Sequence, residues 1–236
     1  WENGHLELGV LPPDTQATPG WHRIELLERD IDAGNLKTVD QVLRYSGRFF
    51  ESPTDYAWVW ALGTLLDNHP QYHDVFRDMP RWLTYPDFTN RFYLQLAEHW
   101  NTLQVEWLCF VDEATYGYDV SRMIIDPKPG EPLVESTSQI FEIDASHGWQ
   151  SGGVQLEAGR TYRLAATGRY QLGDVPKPWF SEPNGVTIRY HKGKPIGLLI
   201  GAIVPDELFH LNVANSERNG ISPKDVPFLT PFVVGS

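Results

Sequence analysis

Residues 139–204 read QIFEIDASHGWQSGGVQLEAGRTYRLAATGRYQLGDVPKPWFSEPNGVTIRYHKGKPIGLLIGAIV, and their pattern decides the fold class. Tyr162, Leu164 and Ala166 alternate with Arg163, Ala165 and Thr167. Val186, Ile188 and Tyr190 alternate in the same way with Thr187, Arg189 and His191. A period of two predicts strands with one face on a core. Glu157-Ala158-Gly159-Arg160 and His191-Lys192-Gly193-Lys194 put glycine where a tight connection between strands needs a positive φ. Short strands with turns at nearly regular spacing predict an antiparallel β-sandwich or jelly roll over 139–236.

Working outward, Asp126-Pro127-Lys128-Pro129-Gly130-Glu131-Pro132 is a proline-stiffened stretch, and 126–138 reads as a linker. Before it, residues 1–125 read as helical. Thr38 caps a short helix carrying Val39, Val42 and Leu43. Ser52 or Thr54 caps a better-marked one, with Pro53 in its first turn and Tyr56, Val59, Trp60, Leu62, Leu65 and Leu66 on a broad apolar side. Pro70 ends or interrupts that helix, and a short amphipathic piece follows from Gln71 to Leu83. A long helix is then expected from Pro86 to Gly117, with Phe88, Phe92, Leu96, Leu103, Trp107, Phe110 and Ala114 as one stripe. The fold class is thus α+β and multidomain: a helical part, a linker and an antiparallel β-sandwich.

The charge supports two modules. Residues 1–125 hold 19 Asp and Glu against 9 Lys and Arg, while the remainder holds 12 against 10. The net charge of -12 speaks against nucleic acid, whose phosphates need a basic patch. No apolar run reaches the length of a membrane span. The one cysteine, Cys109, sits between Leu108 and Phe110 and reads as a buried thiol rather than half of a disulfide. A start on Trp1 and an end on Phe232-Val233-Val234-Gly235-Ser236 read as a piece of a longer protein.

Ala158-Gly159, Thr167-Gly168-Arg169-Tyr170, Pro178-Trp179, Pro183-Asn184-Gly185 and Gly197-Leu198-Leu199-Ile200-Gly201 follow one another in an order similar to the LecA-type bacterial galactose lectins. The resemblance covers roughly the last hundred residues and implies a lectin-like sandwich. In those lectins the loop after the tryptophan gives a His and a Gln to the sugar; here Glu182 and Asn184 fall at those places. Leu172 stands where the lectins have a calcium-holding tyrosine, and their main calcium loop would lie beyond Ser236. Calcium is therefore expected only for a completed β module.

The helical part resembles, more loosely, the distal helical region of uncharacterised secreted bacterial proteins related to the gluzincin zinc peptidases. The residues that carry this are Tyr56-Ala57-Trp58, Trp60-Ala61-Leu62, Leu66-Asp67-Asn68-His69-Pro70, Tyr72, Trp107, Tyr116-Gly117-Tyr118-Asp119 and Arg122. That family's His-Glu-x-x-His and Glu-Gly-x-Ala segments are missing, so no catalytic residue carries over. Zinc is an expectation for a full-length protein alone, and secretion or a periplasmic address follows from this resemblance only.

Several constellations invite chemistry. His69 and His73 are spaced for a metal, but Pro70 lies between them and no third ligand is near, so they read as helix-end histidines. Asp112 and Glu113 are adjacent on a helix and do not face one site. Asp119 and Arg122 read as an ion pair locking the helix end to the sheet module. Gly152-Gly153 precedes no helix and is no phosphate loop, and Gly-x-Ser-x-Gly is absent. The strongest candidate is Trp179-Phe180-Ser181-Glu182-Pro183-Asn184-Gly185. It combines an aromatic face with carboxylate and amide groups, as sugar recognition requires. Trp179, Glu182, Asn184, Asp174 and Gln150 are the expected sugar contacts. The expected function is a carbohydrate-binding module on a peptidase-like helical lobe. The alternatives are a zinc peptidase fragment and a domain without ligand.

Overall fold

The computed structural model of the chain describes residues 11, 13, 22–45, 51–126, 128–135, 137–174, 177–209 and 221–234. They form helices and small, mostly antiparallel sheets, an α+β class. Two compact units result: 1–127 with 146–150 and 206–225, and 128–145 with 151–205 and 226–236.

The first unit contains α1 (Arg23–Asp32), α2 (Val39–Leu43), α3 (Pro53–Asn68), α4 (His73–Asp78), α5 (Phe88–Leu96) and α6 (Trp100–Glu113). Their starts follow from the caps. Thr38 Oγ1 accepts from Gln41 N while Gln41 returns a bond to Thr38 N, a complete capping box. Ser52 Oγ accepts from Asp55 N at 3.2 Å, and Pro53 occupies the first turn of α3. Pro70 has no N–H to continue that helix, and α3 ends at Asn68.

The long helix expected from Pro86 to Gly117 is two helices. A 3-10 turn over Ala97–His99 divides α5 from α6, so the seven apolar residues do not form one stripe. α6 is buried on every side from Leu103 to Val111, as a helix apolar all round must be. It stops at Glu113, and Gly117 takes its positive φ of 80° in the turn that follows.

The core of this unit is aromatic. Trp58 lies 5.9 Å from Trp107, Trp107 lies 6.2 Å from Phe110, and Phe110 lies 5.8 Å from Tyr118. Two of the buried indoles find acceptors: Trp58 Nε1 donates to Asp30 Oδ2 and Trp107 Nε1 to Lys37 O, both at 2.7 Å. Cys109 is buried as expected.

Among the described residues, the second unit holds four two-stranded sheets. β1 (Glu131–Pro132) runs parallel to β2 (Val154–Gln155). β3 (Tyr170–Gly173) with β4 (Trp179–Ser181), β5 (Asn184–His191) with β6 (Lys194–Leu198), and β7 (Ile200–Gly201) with β8 (Phe232–Val233) are antiparallel. Residues 162–167, expected as an alternating strand, join no ladder among the described residues, and Leu164 is exposed. Alternation alone does not make a strand when no neighbour accepts its backbone bonds. β5 forms where expected, but Ile188 and Tyr190 face solvent rather than a core.

The β5–β6 hairpin turns on Lys192 and Gly193, with φ of 47° and 76°. Two central residues at positive φ make a type I′ turn, which matches the twist of paired strands but strains a lysine. Replacing Lys192 by Asn should raise this unit's denaturant midpoint, by about 0.5 kcal/mol in stability. An unchanged or lower midpoint in urea titration would count against the turn geometry.

Candidate functional site

Two clusters carry polar chemistry, one in each unit. In the first, His69, Tyr72 and Glu106 are all 0% exposed. His69 is the residue that ends α3, and its carbonyl accepts from both Tyr72 N and His73 N at 3.0 Å. The turn so formed stacks the His69 ring on the Tyr72 ring, with centroids 4.6 Å apart. Both side chains meet the carboxylate of Glu106, which α6 brings into the core. Tyr72 donates its hydroxyl to Glu106 Oε2 in a short hydrogen bond. Ile125 N donates to Oε1 at 3.1 Å, and His69 Nε2 stands 3.4 Å from the same oxygen without the alignment of a hydrogen bond. Nδ1 of His69 accepts from Gln71 N at 3.3 Å, so the neutral ring carries its proton on Nε2, facing Glu106.

Burial, then the Glu106 carboxylate, pushes the Tyr72 hydroxyl far above its ordinary range. Burial likewise raises the Cys109 thiol from 9.0 to about 12, with Glu106 adding to it. Burial raises Tyr118 as well, helped by Cys109. Solvent does not reach the triad, so it holds the fold rather than acting on a substrate. His73 lies apart from it, its Nδ1 2.5 Å from Asp67 O. Among the described residues no three His, Cys, Asp or Glu side chains gather as a metal ion needs.

Sequence reading placed His69 at a helix end but missed its partner. The signal was there: Glu106 is the one acid in the run Leu103 to Val111, which is otherwise apolar but for Gln104. The Asp119–Arg122 pair, at 3.0 Å, closes a single 3-10 turn over Val120–Arg122. It is a local pair, with Asp119 also accepting from Ser121 N at 3.0 Å.

The second cluster is the corner between β4 and β5. Pro183 is buried, and its carbonyl accepts from Leu199 N at 2.9 Å. Gly185, at φ 73°, donates its N–H to Glu182 O at 2.8 Å, closing the turn. A side chain at Gly185 would begin 2.9 Å from Pro195 Cβ, so the glycine answers both a strained φ and a close approach. Tyr170 donates its hydroxyl to Glu182 O at 3.1 Å and, in a shorter bond, to Gly197 O. Ser181 Oγ donates to Glu182 O at 2.9 Å. With its backbone fixed this way, the corner leaves the side chains of Glu182 and Asn184 exposed on either side of Pro183.

Trp179 is half-buried. Its indole lies against Gly173, where an added Cβ would sit 2.4 Å from Nε1. The more exposed ring is its neighbour Phe180, 41% exposed, with the Arg169 guanidinium 4.5 Å from its centroid. Asp174 is exposed at the end of β3, and its Oδ1 accepts from Gln171 Nε2. Gln150 belongs to the first unit, where its Nε2 donates to Gly148 O at 3.2 Å.

Comparison with protein-family models, with curated proteins and with solved structures finds no match to this chain. Function is therefore read from the chemistry of these residues.

Removing one member of the buried triad leaves the others unpaired. Glu106→Ala should destabilise the first unit by about 3 kcal/mol or more, and Tyr72→Phe by about 2 kcal/mol, in guanidinium unfolding. A loss under about 0.5 kcal/mol for both would show that the triad holds nothing. Alkali gives a second test. The unfolded chain releases the Cys109 proton near 9.0, while the folded chain keeps it up to about 12. The unfolded state then binds fewer protons, so stability falls as pH rises across that window. Thiol alkylation at pH 8 should be negligible in the native protein and prompt once it is denatured.

Proposed function

We propose that the second unit is a carbohydrate-binding module of lectin-like, sandwich type, attached to a non-catalytic helical unit of a secreted, peptidase-like protein. One observation carries the proposal: a corner with its backbone fixed, which keeps Glu182 and Asn184 exposed beside the exposed ring of Phe180. A sugar offers C–H groups on one face and hydroxyls at its edge. An aromatic ring covers the first, and a carboxylate and an amide accept and donate to the second. Fixed presentation matters because weak binding cannot bear the entropy of ordering a mobile loop. The likeness of the Pro178 to Gly201 landmarks to galactose lectins gives the same direction.

Trp179 supports the hairpin from beneath by covering Gly173, while Phe180, Glu182, Asn184 and Asp174 meet the ligand. The module does no chemistry of its own. It holds the helical unit, and whatever is joined to it, close to a glycosylated surface, where the local concentration of substrate is raised.

Titration calorimetry against a panel of simple sugars and short oligosaccharides, with and without calcium, tests this. Phe180→Ala and the pair Glu182→Gln with Asn184→Ala should each weaken binding by about tenfold, the worth of one charge-assisted hydrogen bond or one stacked ring. These side chains are exposed, so the fold should survive. If no sugar gives heat, or if neither change alters the affinity, the proposal fails.

A further inference from the structure

The chain is acidic overall, yet one region is not. Between residues 160 and 205 there are seven Lys and Arg against two Asp and Glu, a net of +5, while the rest of the chain carries -17. All of this segment lies in the second unit. Arg163, Arg169, Arg189 and Lys194 make no ion pair among the described residues, and the first three are exposed. Arg169 rests on the Phe180 ring, within the corner already described.

The hairpin extends this set outward. Val186 pairs with Ile196 and Tyr190 with Pro195, so Thr187, Ile188 and Arg189 face no residue of β6 and bulge from the ladder. Ile188 is 80% exposed and Tyr190 56%. The turn at Lys192 and Gly193 then places Lys194 opposite His191 at the hairpin's end. Gly197 marks the other end of β6: its carbonyl accepts from Tyr170, and from Ser181 Oγ at 3.3 Å, so it adjoins the Glu182 corner. Gly197 lies three strand steps from Lys194, roughly 10 Å. A polymer a few sugar units long spans that distance.

Cations without counter-carboxylates repel one another and leave a standing positive potential, which an anion relieves. We infer that the polymer recognised by this unit is an acidic polysaccharide, bearing carboxylates or sulfates that meet the bulged β5–β6 hairpin while neutral hydroxyls meet the Glu182 corner. This rests on the carbohydrate reading above. A nucleic acid fits less well. With a phosphate on every nucleotide, it leaves no neutral unit for the Glu182 corner to take. Glu182 and Asp174 would also face phosphates that give them no hydroxyl donor, whereas sugar hydroxyls donate to carboxylates readily. The exposed Ile188 and Tyr190 supply the flat apolar contact that sugar C–H faces take.

The full chain is run in affinity gels cast with polygalacturonate, a sulfated glycosaminoglycan or neutral galactan, and tested in parallel against single-stranded DNA and phosphatidylserine vesicles. Retardation by an anionic polysaccharide is expected to exceed that by galactan at least tenfold in affinity. It should weaken as salt rises and fall about tenfold in Arg189→Glu with Lys194→Glu. Arg189→Gln with Lys194→Gln, milder changes at the same two positions, should give a smaller loss of the same kind. Equal binding of neutral and anionic sugars, or binding unmoved by both pairs, overturns this inference and leaves the carbohydrate reading standing. Binding of DNA or vesicles with no sugar bound overturns both, as does binding of nothing.

Discussion

A carboxylate taken wholly out of water is the constraint around which the helical unit is built. Glu106 enters the core because α6 is apolar on every side, and a charge there is tolerated only when donors surround it. Two donors come from separate places in the chain. Tyr72 follows the break at Pro70, Ile125 lies just beyond the 3-10 turn that follows α6, and the His69 ring that ends α3 packs close to the same carboxylate. Hydrophobic packing brings helices together without fixing register. Two aimed donors and one close ring tie the end of one helix, the start of the next and a stretch of irregular backbone to a single point. A hydrophobic trio of equal volume can be as stable. What the carboxylate adds is a requirement that all three segments be in place at once.

This explains why parts of the unit were legible in the sequence and others were not. Caps are local: Thr38 with Gln41, and Ser52 with Pro53, state where helices begin within four residues. Pro70 states where one ends. The break between α5 and α6 has no such mark, because Ala97-Glu98-His99 contains nothing a helix rejects. Phe92 and Leu96 are buried from one helix and Trp100 and Leu103 from the next, so tertiary packing sets the break, and a search for one stripe reads straight through it. The Glu106 partnership is non-local by 34 residues to Tyr72 and 19 to Ile125, and only the oddity of a charge in an apolar run betrays it.

The second unit shows the opposite balance. Its turns were readable, since Gly159 and Gly193 answer backbone needs that few other residues meet. Its strands were half readable. Period two at Val186, Ile188 and Tyr190 correctly gave β5, yet the same period at Tyr162, Leu164 and Ala166 gave no ladder. Periodicity reports which side chains share a face, whereas a strand exists only if a neighbour completes its hydrogen bonds. The candidate sugar contacts split for a related reason. Glu182 and Asn184 are exposed on either side of one fixed turn, but sequence could not tell that Trp179 would cover Gly173 and leave Phe180 as the more exposed ring.

Charge averaged over a module also conceals what charge along a face reveals. Residues 126–236 sum to near neutrality, which reads as a bland surface. The sum cancels a basic stretch of 46 residues against acids that lie before Glu157, at Glu157 itself and after Pro205. Electrostatic recognition falls off within about 10 Å in physiological salt, so a ligand at β5 and β6 responds to Arg169, Arg189 and Lys194 more than to carboxylates farther off. The bulge in β5 works in the same direction. Unpairing Thr187, Ile188 and Arg189 forfeits ladder hydrogen bonds and exposes an isoleucine, a double cost with no return inside the hairpin. A ligand that takes both the cation and the apolar contact supplies that return, and a neutral or purely apolar one supplies only part of it.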